Sequence, residues 1–82
     1  MAIFNPSRVN ATRFDHQGWN QETKQTCHST LMRYVKRLDV SALDYVYSDC
    51  KAVVDALPHS DKAGHYVDTM HYIAMRRNGH KL

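Results

Sequence analysis

The stretch that decides the fold is DVSALDYVYSDCKAVVDAL, residues 39–57. Its apolar side chains recur at helical spacing, which predicts an amphipathic helix at the centre of a small core. Ser41 and Asp44, three residues apart, approximate a capping box, and Pro58 predicts the end of the helix. We therefore expect a helix over about residues 42–57. Its predicted core stripe consists of Leu43, Val46, Tyr47, Cys50, Val53, Val54 and Leu57.

Two further helices are predicted on either side of this segment. Residues 21–38 carry apolar side chains at steps of three and four, and Asn20 before them is a suitable N-cap. Residues 61–78 show the same periodicity, and the Asn78-Gly79 pair that closes them is a typical helix stop. The connections between the three segments are short, which favours antiparallel neighbours.

These patterns predict an all-α fold for one domain of residues 1–82, a small three-helix bundle with an N-terminal arm packed across it. The arm is residues 1–19, which hold several large apolar side chains. Antiparallel packing is expected to bury Val53 and Leu57 against the last helix. Leu57→Ala is then expected to cost on the order of 2–4 kcal/mol.

The two cysteines are predicted to be buried and reduced. Cys27 and Cys50 lie in apolar stretches without CxxC spacing, and the N-terminus lacks a basic start followed by an apolar run. We therefore expect no secretory signal, a cytoplasmic location, and thiols that react slowly. No stretch approaches the roughly 20 apolar residues that a bilayer span requires, so no membrane partner is expected.

Charge is distributed unevenly along the chain. The formal net charge is +3, and an acidic segment, residues 39–61, separates two basic ones. This arrangement predicts a polarised surface.

A metal site is the first chemical hypothesis that the sequence suggests. Asp61, His65, Asp68 and Tyr72 would form one stripe on a helix, opposite its core face. Structural zinc sites need four ligands, and this stripe supplies too few. We expect a solvated face with a loose pair between His65 and an aspartate, and neither a metal nor a cofactor.

Catalysis has little support in the sequence. Cys27 and His28 are neighbours, which on a helix point about 100° apart and cannot act as nucleophile and base. Gly-rich phosphate loops and nucleophile-elbow motifs are absent from the sequence. We therefore expect a non-enzymatic protein with no catalytic residues.

Binding of a protein partner is the main functional prediction. Tyr and Arg are enriched at interface hot spots, and the chain has five tyrosines. Nucleic acid is the alternative partner, because basic residues gather at the predicted helix ends. Whether the chain also forms a homo-oligomer is left open. The predicted partner-binding residues are Arg33, Tyr34, Lys36, Arg37, Tyr45, Tyr72, Arg76 and Arg77.

The segment SALDYVYSDCKAVVDALPHSDKAGHYVDTMHYIAMRRN, residues 41–78, resembles short uncharacterised accessory proteins of tailed bacteriophages. The shared pattern is a helix with an Asp-rich outer face, a short turn, and DKAGHYVDTMHYIAMR or a close relative. The resemblance implies a protein that acts in the cytoplasm of a bacterial host. Such a protein would occlude or redirect a host or phage protein, and the resemblance transfers no functional residue.

Overall fold

The computed structural model of the chain describes residues 17–82. Within them, the chain is mostly helical, as predicted, and a short antiparallel hairpin precedes the helices. Of the predicted arm, residues 1–16 lie outside the described residues, and Trp19 belongs to a strand. The elements, in chain order, are β1 (Trp19–Asn20), β2 (Gln25–Thr26), α1 (His28–Arg37), α2 (Val40–Ala56) and α3 (Ala63–Arg77).

The hairpin occupies the region where the first two turns of a helix were expected. β1 and β2 pair antiparallel, with Trp19 opposite Thr26 and Asn20 opposite Gln25. The prediction of a helix beginning at residue 21 is therefore wrong, and α1 begins at His28.

The side chain of Asn20 explains the error. Its Oδ1 accepts hydrogen bonds from the backbone N–H groups of Glu22 at 2.9 Å and Thr23 at 3.1 Å. This is the chemistry of an N-cap, but here it closes an Asx-type turn between the two strands. Lys24 completes the turn with a φ of 55°, a left-handed conformation that no helix contains.

The core lies between the three helices, and α3 packs against α2, α1 and β2. Val53 is buried as predicted, together with Ile73 of α3, and the partly buried Met70 packs against the same cluster. Leu57 is 38% exposed, so its predicted burial is wrong. It lies just after α2, in a non-helical conformation that turns it off the core stripe. The buried cluster consists of Leu31, Val35, Leu43, Val46, Cys50, Val53, Tyr66 and Ile73.

The end of α3 matches the stop that the sequence indicates. Gly79 adopts a φ of 87°. Its N–H donates to the carbonyl of Arg76, and the N–H of His80 donates to the carbonyl of Met75. These two bonds form a Schellman motif, which needs a left-handed residue that glycine adopts without strain. The motif turns residues 80–82 back along the protein.

Candidate basic binding surface

Arg76 connects the C-terminal ends of two helices. It lies in the last turn of α3, and its Nη1 donates hydrogen bonds to the backbone carbonyls of Val35, at 2.8 Å, and Leu38. Both carbonyls lie at the C-terminal end of α1, where backbone acceptors lack α-helical partners; that of Val35 also accepts from the N–H of Leu38. The sequence placed Arg76 near the end of its own helix and predicted that it would bind a partner. The structure shows that it serves the end of α1.

Arg76 also lines a cleft between the end of α1 and the chain that follows α3. The cleft has a volume of about 380 Å³. Its lining combines cations from both helix ends with one histidine and one apolar side chain: Lys36, Arg76, Lys81, His80 and Leu82. Basic groups that are about forty residues apart in the sequence thus converge on one surface.

Two more cations extend the surface along α1. Arg33 and Arg37 are exposed. Arg33 lies three residues before Lys36 and four before Arg37, and each of these spacings gives neighbouring positions on the surface of the helix. Within residues 17–82, no carboxylate forms an ion pair with Arg33, Lys36, Arg37 or Lys81. We call Arg33, Lys36, Arg37, Arg76 and Lys81 the basic surface.

Arg77 faces a different neighbour. Its Nη2 lies 2.6 Å from Oδ1 of Asp44 on α2, and its guanidinium lies over the ring of Tyr47, 5.3 Å from the centroid. Asp44 therefore offsets the charge of Arg77, and the aromatic ring provides a cation–π contact. Although Arg77 was predicted to bind a partner, the structure places it in a contact between α3 and α2.

The predicted tyrosines are not gathered on one patch. Tyr34 is partly buried against the core, and Tyr45 on α2 is 43% exposed. The hydroxyl of Tyr72 is 2.8 Å from Nδ1 of His28 and hydrogen-bonded to it. The structure thus brings the cations of α1 and α3 together, whereas Tyr45 and Tyr72 lie on separate helices.

A second groove, of about 360 Å³, lies between the hairpin and α3. It is polar, and its charges pair with one another. Lys24 Nζ lies 2.9 Å from Asp61 Oδ2, and this hydrogen bond holds the pKa of the Asp61 carboxyl below its ordinary value. His28 Nε2 lies 3.8 Å from Asp68 Oδ2. Lys24 therefore offsets one of the two carboxylates that line the groove, and the groove does not gather positive charge as the basic cleft does.

His65 lies at the base of this groove and not on a solvated stripe. His65 is 2% exposed, whereas Val67, two residues later on the same helix, is 49% exposed. The Nδ1 of His65 is 3.5 Å from the Thr26 hydroxyl, and its ring meets the edge of Trp19. The hairpin covers this side of α3, so the predicted solvated position of His65 is wrong.

The predicted burial of Cys27 is also wrong, because its side chain is exposed. Cys50 is buried as predicted. Cys27 is the N-cap residue of α1, where the backbone is extended. Its Sγ lies 3.3 Å from the Thr30 hydroxyl and 3.6 Å from the Ser29 hydroxyl. Hydrogen bonds from these groups, with a smaller contribution from Arg33, lower the pKa of the Cys27 thiol to about 7.

Among residues 17–82, no three His, Cys, Asp or Glu side chains come close enough together to hold a metal ion. In the same part of the chain, no helix combines the length and the apolar character that crossing a membrane requires.

Comparisons with protein-family models, with curated proteins and with solved structures found no match to this chain. The similarity to phage accessory proteins therefore stays a prediction from the sequence.

Proposed function

We propose that this chain is a small non-enzymatic module that binds a protein partner through the basic surface. The observation that carries the proposal is the Arg76 contact, which holds the ends of α1 and α3 together. In this proposal the three helices act as a rigid bundle, so that the cations are presented in a fixed arrangement. Preorganised groups lose less conformational entropy on binding.

The charge of the surface supports a partner with an acidic face. The cations of the basic surface at Arg33, Lys36, Arg37 and Lys81 are not neutralised by carboxylates within residues 17–82. Complementary charge steers diffusional encounter and disfavours partners of the wrong sign. The partner-binding residues of the proposal are therefore the basic surface, with Tyr34 beside it on α1.

The biological role that we propose follows from the sequence resemblance of residues 41–78. The chain would act in the cytoplasm of a bacterial host and occlude or redirect a host or phage protein. Binding itself would be the mechanism, because a rigid domain placed on a functional surface blocks access to it.

Affinity capture from bacterial lysate tests the proposal, with and without nuclease. We expect the wild-type chain to retain a protein after nuclease treatment, and a variant with Lys36→Glu and Lys81→Glu to lose it. Lys51→Glu is the matched control, since Lys51 is an exposed lysine on α2 that pairs with Asp55. Failure to retain any protein, or equal retention by all three chains, would contradict the proposal.

Nucleic acid is the second candidate partner, because the same cations could contact phosphates. The salt dependence of binding separates the two. Each phosphate contact releases counterions, so affinity for nucleic acid falls steeply as salt rises. Binding that nuclease abolishes and that weakens by orders of magnitude between low and moderate salt would replace the main proposal with this one.

A further inference from the structure

We infer that Arg76 is a preorganised binding site for a carboxylate of the partner, and that an apolar side chain next to this carboxylate packs on Leu82. The inference rests on the proposed function and specifies its partner: an acidic segment of a protein in which Asp or Glu is followed by an apolar residue.

The hydrogen bonds of Arg76 leave one edge of its guanidinium available. Nη1 carries two hydrogens, and the carbonyls of Val35 and Leu38 accept from it. An arginine has five N–H donors, so the three on Nε and Nη2 remain. Within residues 17–82, no hydrogen bond to those two nitrogens is formed. The edge formed by Nε and Nη2 is the one that binds a carboxylate through two parallel hydrogen bonds.

The anchoring and the surroundings of Arg76 favour binding as well. The backbone of α1 holds the guanidinium through its opposite edge, so a ligand need not restrain a mobile side chain. Lys36, His80 and Lys81 line the same cleft as Arg76. Lys36 and Lys81 supply positive charge beside the carboxylate that Arg76 would hold.

Leu82 gives the cleft an apolar side. It lines the cleft together with the cations and is partly buried against the core. Because the core holds Leu82 in place, an apolar side chain that packs on it removes apolar surface from water on both partners. A residue adjacent to the bound acid is the one placed to make this contact.

The surroundings favour a short acidic segment over a phosphate chain. Asp39 follows Leu38 directly and is exposed, and within residues 17–82 no cation forms an ion pair with it. Duplex DNA carries one charge about every 1.7 Å along its axis. Phosphates that extend beyond the cleft toward the end of α1 would approach this carboxylate, whereas one bound carboxylate needs only the cleft.

Titration followed by NMR tests the inference on the full chain. The probe is a synthetic peptide in which Glu-Leu pairs alternate with Gly-Ser spacers, and its matched control has Gln in place of Glu. We expect the Nε–H resonance of Arg76 to shift with the Glu peptide and to stay unchanged with the Gln peptide. In a variant with Lys36→Gln and Lys81→Gln, which retains the Arg76 contact, the affinity should fall about tenfold, in line with two lost charge contacts.

An Arg76 Nε–H resonance that does not respond to the Glu peptide would overturn the inference. A single-stranded oligonucleotide of equal charge that shifts the same resonance more strongly would also overturn it, because the site would then prefer phosphate to carboxylate. The proposed function fails separately, if affinity capture retains no protein. A captured protein that the Lys36→Glu, Lys81→Glu variant loses, but that leaves the Nε–H resonance of Arg76 unchanged when it binds the wild-type chain, would reject only the carboxylate-binding site.

Discussion

Arg76 lies one residue before the end of α3, yet its guanidinium caps a different helix. Basic residues near a helix C-terminus are usually explained by the dipole of their own helix. The backbone of that end is already satisfied by the turn at Gly79. Arg76 is therefore available for the carbonyls of α1, and this single side chain joins the two basic ends into one surface.

Replacing Arg76 should lower stability more than replacing its neighbour on the surface. Arg76→Gln removes charge-assisted hydrogen bonds from two carbonyls, and we expect a loss of about 1–3 kcal/mol in the free energy of unfolding. Arg37→Gln removes the same charge from an exposed side chain, where changes stay within about 0.5 kcal/mol. Urea denaturation of the two variants measures the difference. Equal stabilities would show that the Arg76 contact does not hold the helices together.

Cys27 should react much faster than Cys50 with a thiol reagent. The pKa of the Cys27 thiol is about 7 and the side chain is exposed, so thiolate, the reactive form, accumulates as pH rises through 7. Alkylation followed by peptide mass spectrometry should give a rate for Cys27 that is half-maximal near pH 7, and almost no labelling of Cys50 in the folded state.

Thr30→Val provides the control for this prediction. The Thr30 hydroxyl is the largest cause of the lowered pKa, so its removal should move the half-maximal rate to higher pH. A midpoint near the ordinary thiol value of about 8.5 in the wild-type chain would contradict the described contacts.

The junction between the hairpin and α1 depends on a close approach of backbone. Gly18 has a φ of 82°, and a Cβ at this position would lie 3.0 Å from the carbonyl oxygen of Cys27 and from the nitrogen of Leu31. These are backbone atoms, which cannot move without displacing α1. The hairpin therefore needs glycine at this position to reach the start of the helix.

Gly18→Ala and Gly64→Ala should change stability in opposite directions. At Gly18, the positive φ and the short contacts should cost about 1–3 kcal/mol. Gly64 lies in the first turn of α3, where an added methyl group would meet no neighbouring atom within 4 Å, so alanine there should stabilise the protein by up to about 1 kcal/mol. Thermal unfolding of both variants measures whether each substitution lowers or raises the stability. A neutral Gly18→Ala substitution would show that the hairpin does not pack on α1 as described.

At the scale of the elements, the sequence predicted the helices where local signals act alone. Pro58 and the Asn78-Gly79 pair mark the ends of α2 and α3 within a residue or two. The start of α1 was missed because an Asn that can cap a helix can also close a turn, and the choice depends on tertiary packing. His65 was placed on the wrong face for a related reason, because helical periodicity does not show that a hairpin covers it.

In the candidate site, too, local features were predicted and long-range ones were missed. The basic residues at the ends of the two helices were identified from composition and the helix stop. The sequence did not predict that they converge, because this depends on one long-range contact from Arg76 to Val35 and Leu38. The exposure of Cys27 was likewise missed, since it follows from the shorter α1 and not from the apolar residues around it.

For the whole molecule, the small core makes stability sensitive to single apolar side chains. Ile73→Ala should cost about 2–5 kcal/mol, because Ile73 is fully buried between the helices. Leu57→Ala should cost no more than about 1 kcal/mol, since that side chain is partly exposed after the end of α2. The total free energy of unfolding of a native protein is about 5–15 kcal/mol. The expected difference between the two variants is a large part of it, so urea denaturation will resolve it. A larger effect at Leu57 than at Ile73 would contradict the described core.

The charges of the molecule are distributed unevenly among its helices. α2 carries Asp44, Asp49 and Asp55, whereas the ends of α1 and α3 present the basic surface. Such separation orients an approaching acidic partner toward one end of the domain. Partner binding should therefore protect one end of the molecule and leave the hairpin unchanged.

Hydrogen exchange of the chain in complex with its captured partner tests most directly whether the partner binds the basic surface. We predict that amides in residues 33–38 and 76–82 exchange more slowly in the complex, while those in residues 19–26 and 61–68 exchange at the rates of the free chain. Protection confined to the hairpin and the first turns of α3 would contradict the proposed binding mode, because the partner would then occupy the polar groove and not the basic surface.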